Sequence, residues 1–297
     1  MRYRNLSSYF REKYGKRLKK ICIDGGFSCP NRDGTAGIGG CIFCGERGSG
    51  EHINPTLSIK EQVEGALSSA SEGDIFAAYF QNFTNTYEST EVLRERYDAA
   101  LFDSRVKLLA IGTRPDCIDE NKAELIASYK ERCDVWVELG LQTADDSVAD
   151  FINRGYKTET FEKAVEILKK HGIPVVVHVI IGMPGENASG VKRTIDYIAK
   201  FNPFGVKLHS IYVMRGTRLA ELYESGEYDP PSLEEYLDCV CYAVKRLSPD
   251  TVFHRLTGDC PGGLLLAPKW NADKNALIKL VQDRLSELDV RQGETYR

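Results

Sequence analysis

A chain of 297 residues with 42% hydrophobic and 28% charged residues is composed as an ordinary globular protein, which excludes a disordered or fibrous one. No stretch approaches the ~18 unbroken apolar residues of a membrane span, and the opening "MRYRNLSSYFREKYGKRLKK" lacks the apolar core of a signal peptide. The expected location is therefore cytoplasmic, with no membrane partner, and the net charge of −4 conceals +7 on residues 1–20 against −11 on the rest.

The chain opens on a basic arm, residues 1–18. Arg11, Lys13, Lys16 and Arg17, continued by Lys19 and Lys20, alternate with Tyr3, Tyr9, Phe10 and Tyr14. Cations for phosphates and rings for base stacking make a candidate RNA contact. A solvated helix face would have the same charge pattern.

From residue 19, apolar runs of strand length alternate with helical patterns. Strands are predicted at 19–24, 74–81, 105–113, 134–142, 173–182 and 204–213, with helices near 58–72, 89–103, 119–131, 158–171 and 187–201. Continuous apolarity marks strands covered on both faces, and strand-helix alternation gives right-handed crossovers in a parallel sheet. Six such units over 19–215 predict an α/β fold, a partial (β/α)6 TIM-like barrel. Residues 216–297 then form a C-terminal α/β extension. It comprises a short helix near 217–224, a helix near 232–247, the strand-like "TVFHRLTG" and a last helix near 272–288, and is expected to cover the barrel mouth.

In such a fold the C-terminal strand ends and the loops after them build the active site. The loop after the first strand, "SCPNRDGTAGIGGCIFCG", carries Cys29, Cys41 and Cys44. The other rim residues are Gln81, Thr113, Arg114, Gln142, the "GMPGE" turn and Tyr212. Nine cysteines in a chain of this size do not require disulfides, and Cys22, Cys117, Cys133, Cys239 and Cys241 sit in apolar or helical settings as small core residues. Two readings compete for the three-thiol loop. With His52 it could make a Cys3His zinc site; alternatively it could ligate a [4Fe-4S] cluster, leaving one iron without a protein thiolate.

The Cys-x11-Cys-x2-Cys spacing, with Phe43 before the last cysteine, resembles the radical S-adenosylmethionine (SAM) superfamily. The resemblance continues through "YFQNFTNTY", "GTRPDCI", "ELGLQTADDSVADFINRGY", "IIGMPGE" and "LTGDCPGGLLLAPKW". It is nearest the YhcC-like branch, related to the radical SAM part of the Elongator catalytic subunit. The first spacing is eleven where most of the superfamily has three, and the sequence carries no acetyltransferase segment, so acetyl-CoA is not an expected partner.

The resemblance implies an enzyme whose cofactors are a [4Fe-4S] cluster and SAM, with SAM on the free iron cleaved to a 5′-deoxyadenosyl radical. It also implies an electron donor such as flavodoxin or ferredoxin. By position, Phe43 packs by the adenine, Gln81 and Thr113 meet the methionine end, Gln142 meets the ribose and Arg154 pairs with the carboxylate. His178 is either a ribose contact or a satisfied core histidine, and Gly182 and Met183 would present backbone and thioether to the adenine. Glu138 faces the lumen if Gln142 does and could serve protons or substrate. His209, Tyr212, His254, Arg255 and Cys260 are candidate substrate residues near the mouth, with Cys260 open between hydrogen donor, metal ligand and no role. Three functions remain open: modification of a base in tRNA or other RNA, radical chemistry on a metabolite or protein side chain, and a Cys3His zinc RNA-binding module.

Overall fold

The structure is a computed structural model and describes residues 2–48, 53–258, 260 and 263–297. Its frame is one sheet of parallel strands in the order β1 (Leu18–Ile23), β2 (Ile75–Phe80), β3 (Val106–Thr113), β4 (Asp134–Gln142), β5 (Val175–Ile181), β6 (Gly205–Ser210) and β8 (Val252–Arg255). It curls into a half-barrel. The crossovers carry α2 (Ile59–Ser68), α3 (Thr90–Ala100), α4 (Glu120–Ser128), α5 (Asp146–Phe151), α6 (Thr158–Lys170) and α7 (Ala188–Ala199). Their starts are chemically marked: Ser58 and Glu61 form a reciprocal capping box on α2, and Ser89, Asp119, Asp145 and Asn187 cap free amides with their side chains. Beyond β6 come β7 (Val213–Met214), α8 (Arg218–Glu224), α9 (Leu233–Arg246), β9 (Leu265–Ala267) and α10 (Lys274–Glu287).

The strand period of two divides the molecule. One face of the sheet carries Ile21, Ile23, Phe76, Ala78, Phe80, Leu109, Ile111, Val137, Leu139, Val177 and Val179 into the main apolar core. The alternate residues face the lumen. Its lower end is apolar, from Ala77, Leu108, Trp136 and Val176.

Two differences from the sequence reading follow. The basic arm is a helix, α1 (Leu6–Tyr14), started by Asn5 and ended by Gly15 at φ 72°, and its rings plug the lower end of the barrel. Phe10 stacks on Trp136 at 6.1 Å, Tyr9 meets Phe204 edge-on at 5.2 Å and Tyr3 meets Phe253 at 5.5 Å. These rings are not available to stack on bases. All six cations stay exposed, but four are engaged: Lys13 pairs with Asp134, Lys19 with Asp74, Lys16 donates to the Gly73 carbonyl, and Lys20 lies over the Tyr79 ring. Arg11 and Arg17 are exposed.

The second difference is β8. Val252–Arg255 is the seventh strand of the sheet rather than part of a cover, pairing Gly205 with Val252 and Lys207 with Arg255. The extension does bring a short antiparallel ribbon, β7 with β9, next to the rim residues Ile211 and Tyr212. Among the described residues, no helix is long and apolar enough to cross a membrane.

Candidate active site

The loop after β1 is held by backbone and amide bonds together with the packing of buried Ile42 against Val148, Ile152 and Leu219. The Cys29 carbonyl accepts from Arg32 N at 2.8 Å, and the Cys41 carbonyl accepts from Cys44 N at 3.0 Å. Asn31 is wholly buried; its amide donates to the Asn153 carbonyl and approaches the Cys41 sulfur at 3.6 Å. Asn153 in turn donates to the Gly40 carbonyl at 2.8 Å, and Ile42 bonds the backbone of Ile152 and Leu219. Gly37 has no room for a side chain, since a Cβ there would stand 2.2 Å from Asn31 Oδ1.

Cys29, Cys41 and Cys44 line one cavity of about 220 Å³ with Phe43, Gln81, Thr113, Arg114, Gln142 and Arg154. Its floor is formed by Tyr79, Glu138, His178 and His209, and Tyr212 stands at its wall. The hydrogen bond from Cys44, opposed by burial and aided by Arg114, holds the Cys41 thiol down to about 7, while the bond to Cys41 pushes Cys44 up. Arg114 and Arg32 act on Cys41, and Arg32 also on Cys44. Among the described residues, no three His, Cys, Asp or Glu side chains surround a single point as one metal ion would need. A cubane gives each thiolate a separate iron, so it requires thiols spaced around a cavity. The three cysteines with Arg32 and Arg114 fit that anionic group. His52, the fourth ligand of the zinc alternative, lies outside the described residues.

The expected cofactor contacts divide. Phe43, Gln81, Thr113 and Gln142 reach the cavity, Gln142 with a φ of 61° after a register shift in β4. The Thr113 hydroxyl also meets Thr86 at 2.6 Å. Arg154 lines the cavity too, yet it is 1% exposed and committed elsewhere: Nη1 donates to the Leu141 and Thr143 carbonyls, Nε to Tyr156 and Nη2 to Asp146. Four of the five guanidinium donors are thus used inside the protein, so the expected carboxylate fork is a fastener of the turn after β4. Gly182 and Met183 are away from this cavity. Met183 packs among Ile42, Val148 and Ile211, and Gly182, at φ 101°, accepts from Tyr228 and backs onto Pro231.

The substrate candidates divide in the same way. His209 and Tyr212 line the cavity, but His254 and Arg255 belong to β8, level with the start of β6 and well below the mouth. The His254 ring packs edge-on against Trp136 at 4.9 Å. Cys260 is half-buried next to residues outside the description.

The middle of the lumen holds a buried ion cluster. Glu138, 2% exposed, binds Lys207 Nζ and His178 Nε2 through one oxygen, the latter at 2.8 Å, and accepts from Trp136 Nε1 at 3.1 Å through the other. Lys207 Nζ also reaches the Tyr79 hydroxyl at 3.1 Å. Burial would raise the Glu138 carboxyl, but Lys207, His178 and His254 outweigh it and hold it well below the usual carboxylate range. Burial brings Lys207 down to about 8 against the pull of Glu138. Sequence reasoning missed Lys207. The signal was a lysine inside an apolar strand, two residues before His209 and so on the same face.

Comparison with known proteins places this geometry. Residues 29–198 match the radical SAM superfamily and 203–287 the radical SAM C-terminal domain. The uncharacterized protein YtqA of Bacillus subtilis is 35% identical over all of this chain and 93% of its own length. The tRNA uridine(34) acetyltransferase of Methanocaldococcus jannaschii is 32% identical over 55% of this chain, which matches only 30% of that protein. Among solved structures, Methanocaldococcus infernus Elp3 lacking its N-terminus superposes with a TM-score of 0.70 at 21% identity, over 93% of this chain and 64% of that one. The chain belongs to the radical SAM superfamily: it is a radical SAM enzyme, and its cofactors are a [4Fe-4S] cluster and S-adenosylmethionine.

Proposed function

We propose that this enzyme modifies a base in RNA, most specifically tRNA, within the cavity that Cys29, Cys41 and Cys44 line. The observation that carries the reading is the 32% identity, over 55% of this chain, to a protein whose name states a tRNA uridine as its target. When bound, the cluster and SAM supply reductive cleavage of a sulfonium and a carbon-centred oxidant.

In this reading the three cysteines hold the cluster, and Phe43, Gln81, Thr113 and Gln142 bind SAM. Arg154 holds the turn that presents Gln142. A flavodoxin or ferredoxin brings the electron. Phosphates would be met at the rim, where Arg215, just after β7, and Arg218, on α8, are exposed beside the cysteine loop, Leu219 N bonding Ile42 O at 2.9 Å.

The test is mass spectrometry of nucleosides from bulk tRNA of cells with and without this protein. The reading expects one modified nucleoside to vanish and its precursor to accumulate; identical profiles would overturn it.

A further inference from the structure

The buried cluster in the lumen is unexplained by cofactor binding. A carboxylate and an ammonium taken out of water cost more than they return unless their arrangement does something else. Here that arrangement ends on the imidazole of His178, which lines the cavity of the cysteines. Ionised Glu138 only accepts hydrogen bonds, so the His178 nitrogen facing it, Nε2, must carry the proton. Nδ1 is then the bare nitrogen. The His178 side chain is 20% exposed, and what it is exposed to is the cavity of the cysteines.

We propose that His178 is a general base toward the substrate, oriented by the bond between its Nε2 and Glu138. Its substrate is a molecule whose reacting atom gives up an N–H, O–H or acidified C–H proton. In that step the Nδ1 lone pair takes the proton, the electron pair of the broken bond stays on the substrate, and the imidazolium charge is matched by Glu138. No electron leaves or enters. The assignment replaces the ribose contact expected for His178 and goes beyond the RNA reading, since it holds for any substrate of that class.

The surroundings agree. Facing His178 are Glu138 on β4, Lys207 and His209 on β6, and Arg255 on β8, with Tyr79 on β2 reaching the same lysine. Burial and then Lys207 press the imidazole below its ordinary value, against the bond from Glu138. A neutral imidazole at pH 7 is the form a base requires.

The experiment compares wild type, His178→Gln and Lys207→Met as cluster-loaded full chains. His178→Gln should bind SAM within about threefold of wild type, and a loss beyond about tenfold would return the residue to the cofactor and overturn the proposal. On bulk tRNA from cells lacking this protein, His178→Gln should turn over about a hundredfold more slowly, and wild-type turnover would overturn it. Lys207→Met removes the cation that opposes His178 protonation, so the acid limb of the pH-rate profile should move up; an unmoved limb is the contrary result. If wild type leaves that tRNA unchanged, the RNA reading falls by itself. Nitrogen-15 spectroscopy of His178 then decides: an Nε2–H tautomer whose midpoint rises in Lys207→Met supports the proposal, and an Nδ1–H tautomer or a fixed midpoint overturns it.

Discussion

Arg154 donates to three backbone carbonyls around the turn after β4, and a buried guanidinium used in that way holds structure before it holds a ligand. Arg154→Ala would leave those carbonyls without their guanidinium donor. The expected cost is about 3 kcal/mol of unfolding free energy, read from the denaturant midpoint; unchanged stability with weakened SAM binding would restore the carboxylate role. Glu186 makes a second residue-scale case. Burial lifts its carboxyl to about 7, against hydrogen bonds from Thr143 and Thr194. A carboxyl raised on folding contributes stability at low pH that is lost as pH climbs through the folded value. Stability should therefore fall from about pH 4.5, the ordinary carboxyl value, to about pH 7, and Glu186→Gln should flatten that fall in denaturant midpoints across the range.

At the scale of elements, the strands β2 to β6 were legible because they are largely apolar runs covered on both faces, unlike β1 with its exposed Lys19 and Lys20, and the cysteine loop because three thiols in a glycine-rich stretch have few other uses. The helix α1 was half legible. Its charges drew the reading outward, yet Leu6, Phe10 and Tyr14 recur at four-residue steps, the spacing of an inward stripe, and the structure buries Phe10 and half-buries the other two. Phe10→Ala should cost about 3 kcal/mol, whereas Arg17→Ala, exposed, should stay within about 0.5 kcal/mol; parallel chemical denaturation of the two variants checks this. Deleting the arm would thus unplug the barrel, so RNA binding is better probed with point substitutions at Arg215 and Arg218. The position of β8 was not legible. A sequence shows that "TVFHRLTG" is strand-like, but its neighbour is chosen by contacts with β6 and with the backbone of Arg4, far away in the chain. His254 and Arg255 moved from the mouth to the lower lumen with it.

Across the whole molecule, the half-barrel separates its work by depth. Aromatic rings from α1 close the bottom, the Glu138 cluster occupies the middle, and the cysteine loop with the strand-end residues forms the top. The layers share the alternate residues of the same strands, which is why Tyr79 and Gln81, or Lys207 and His209, stand one above the other. Of the middle layer, Glu138, His178 and His209 were legible as candidates, whereas the partnership of Lys207 and Trp136 with Glu138 emerges only when neighbouring strands are set side by side. The measurement that bears most directly on the account is anaerobic iron content and 5′-deoxyadenosine release, for wild type and for Cys29→Ala, Cys41→Ala and Cys44→Ala. About four irons per chain with SAM cleavage in wild type, and loss of cleavage in each variant, is the predicted result. A colourless zinc-bearing protein, or any single variant that still cleaves SAM, would contradict it.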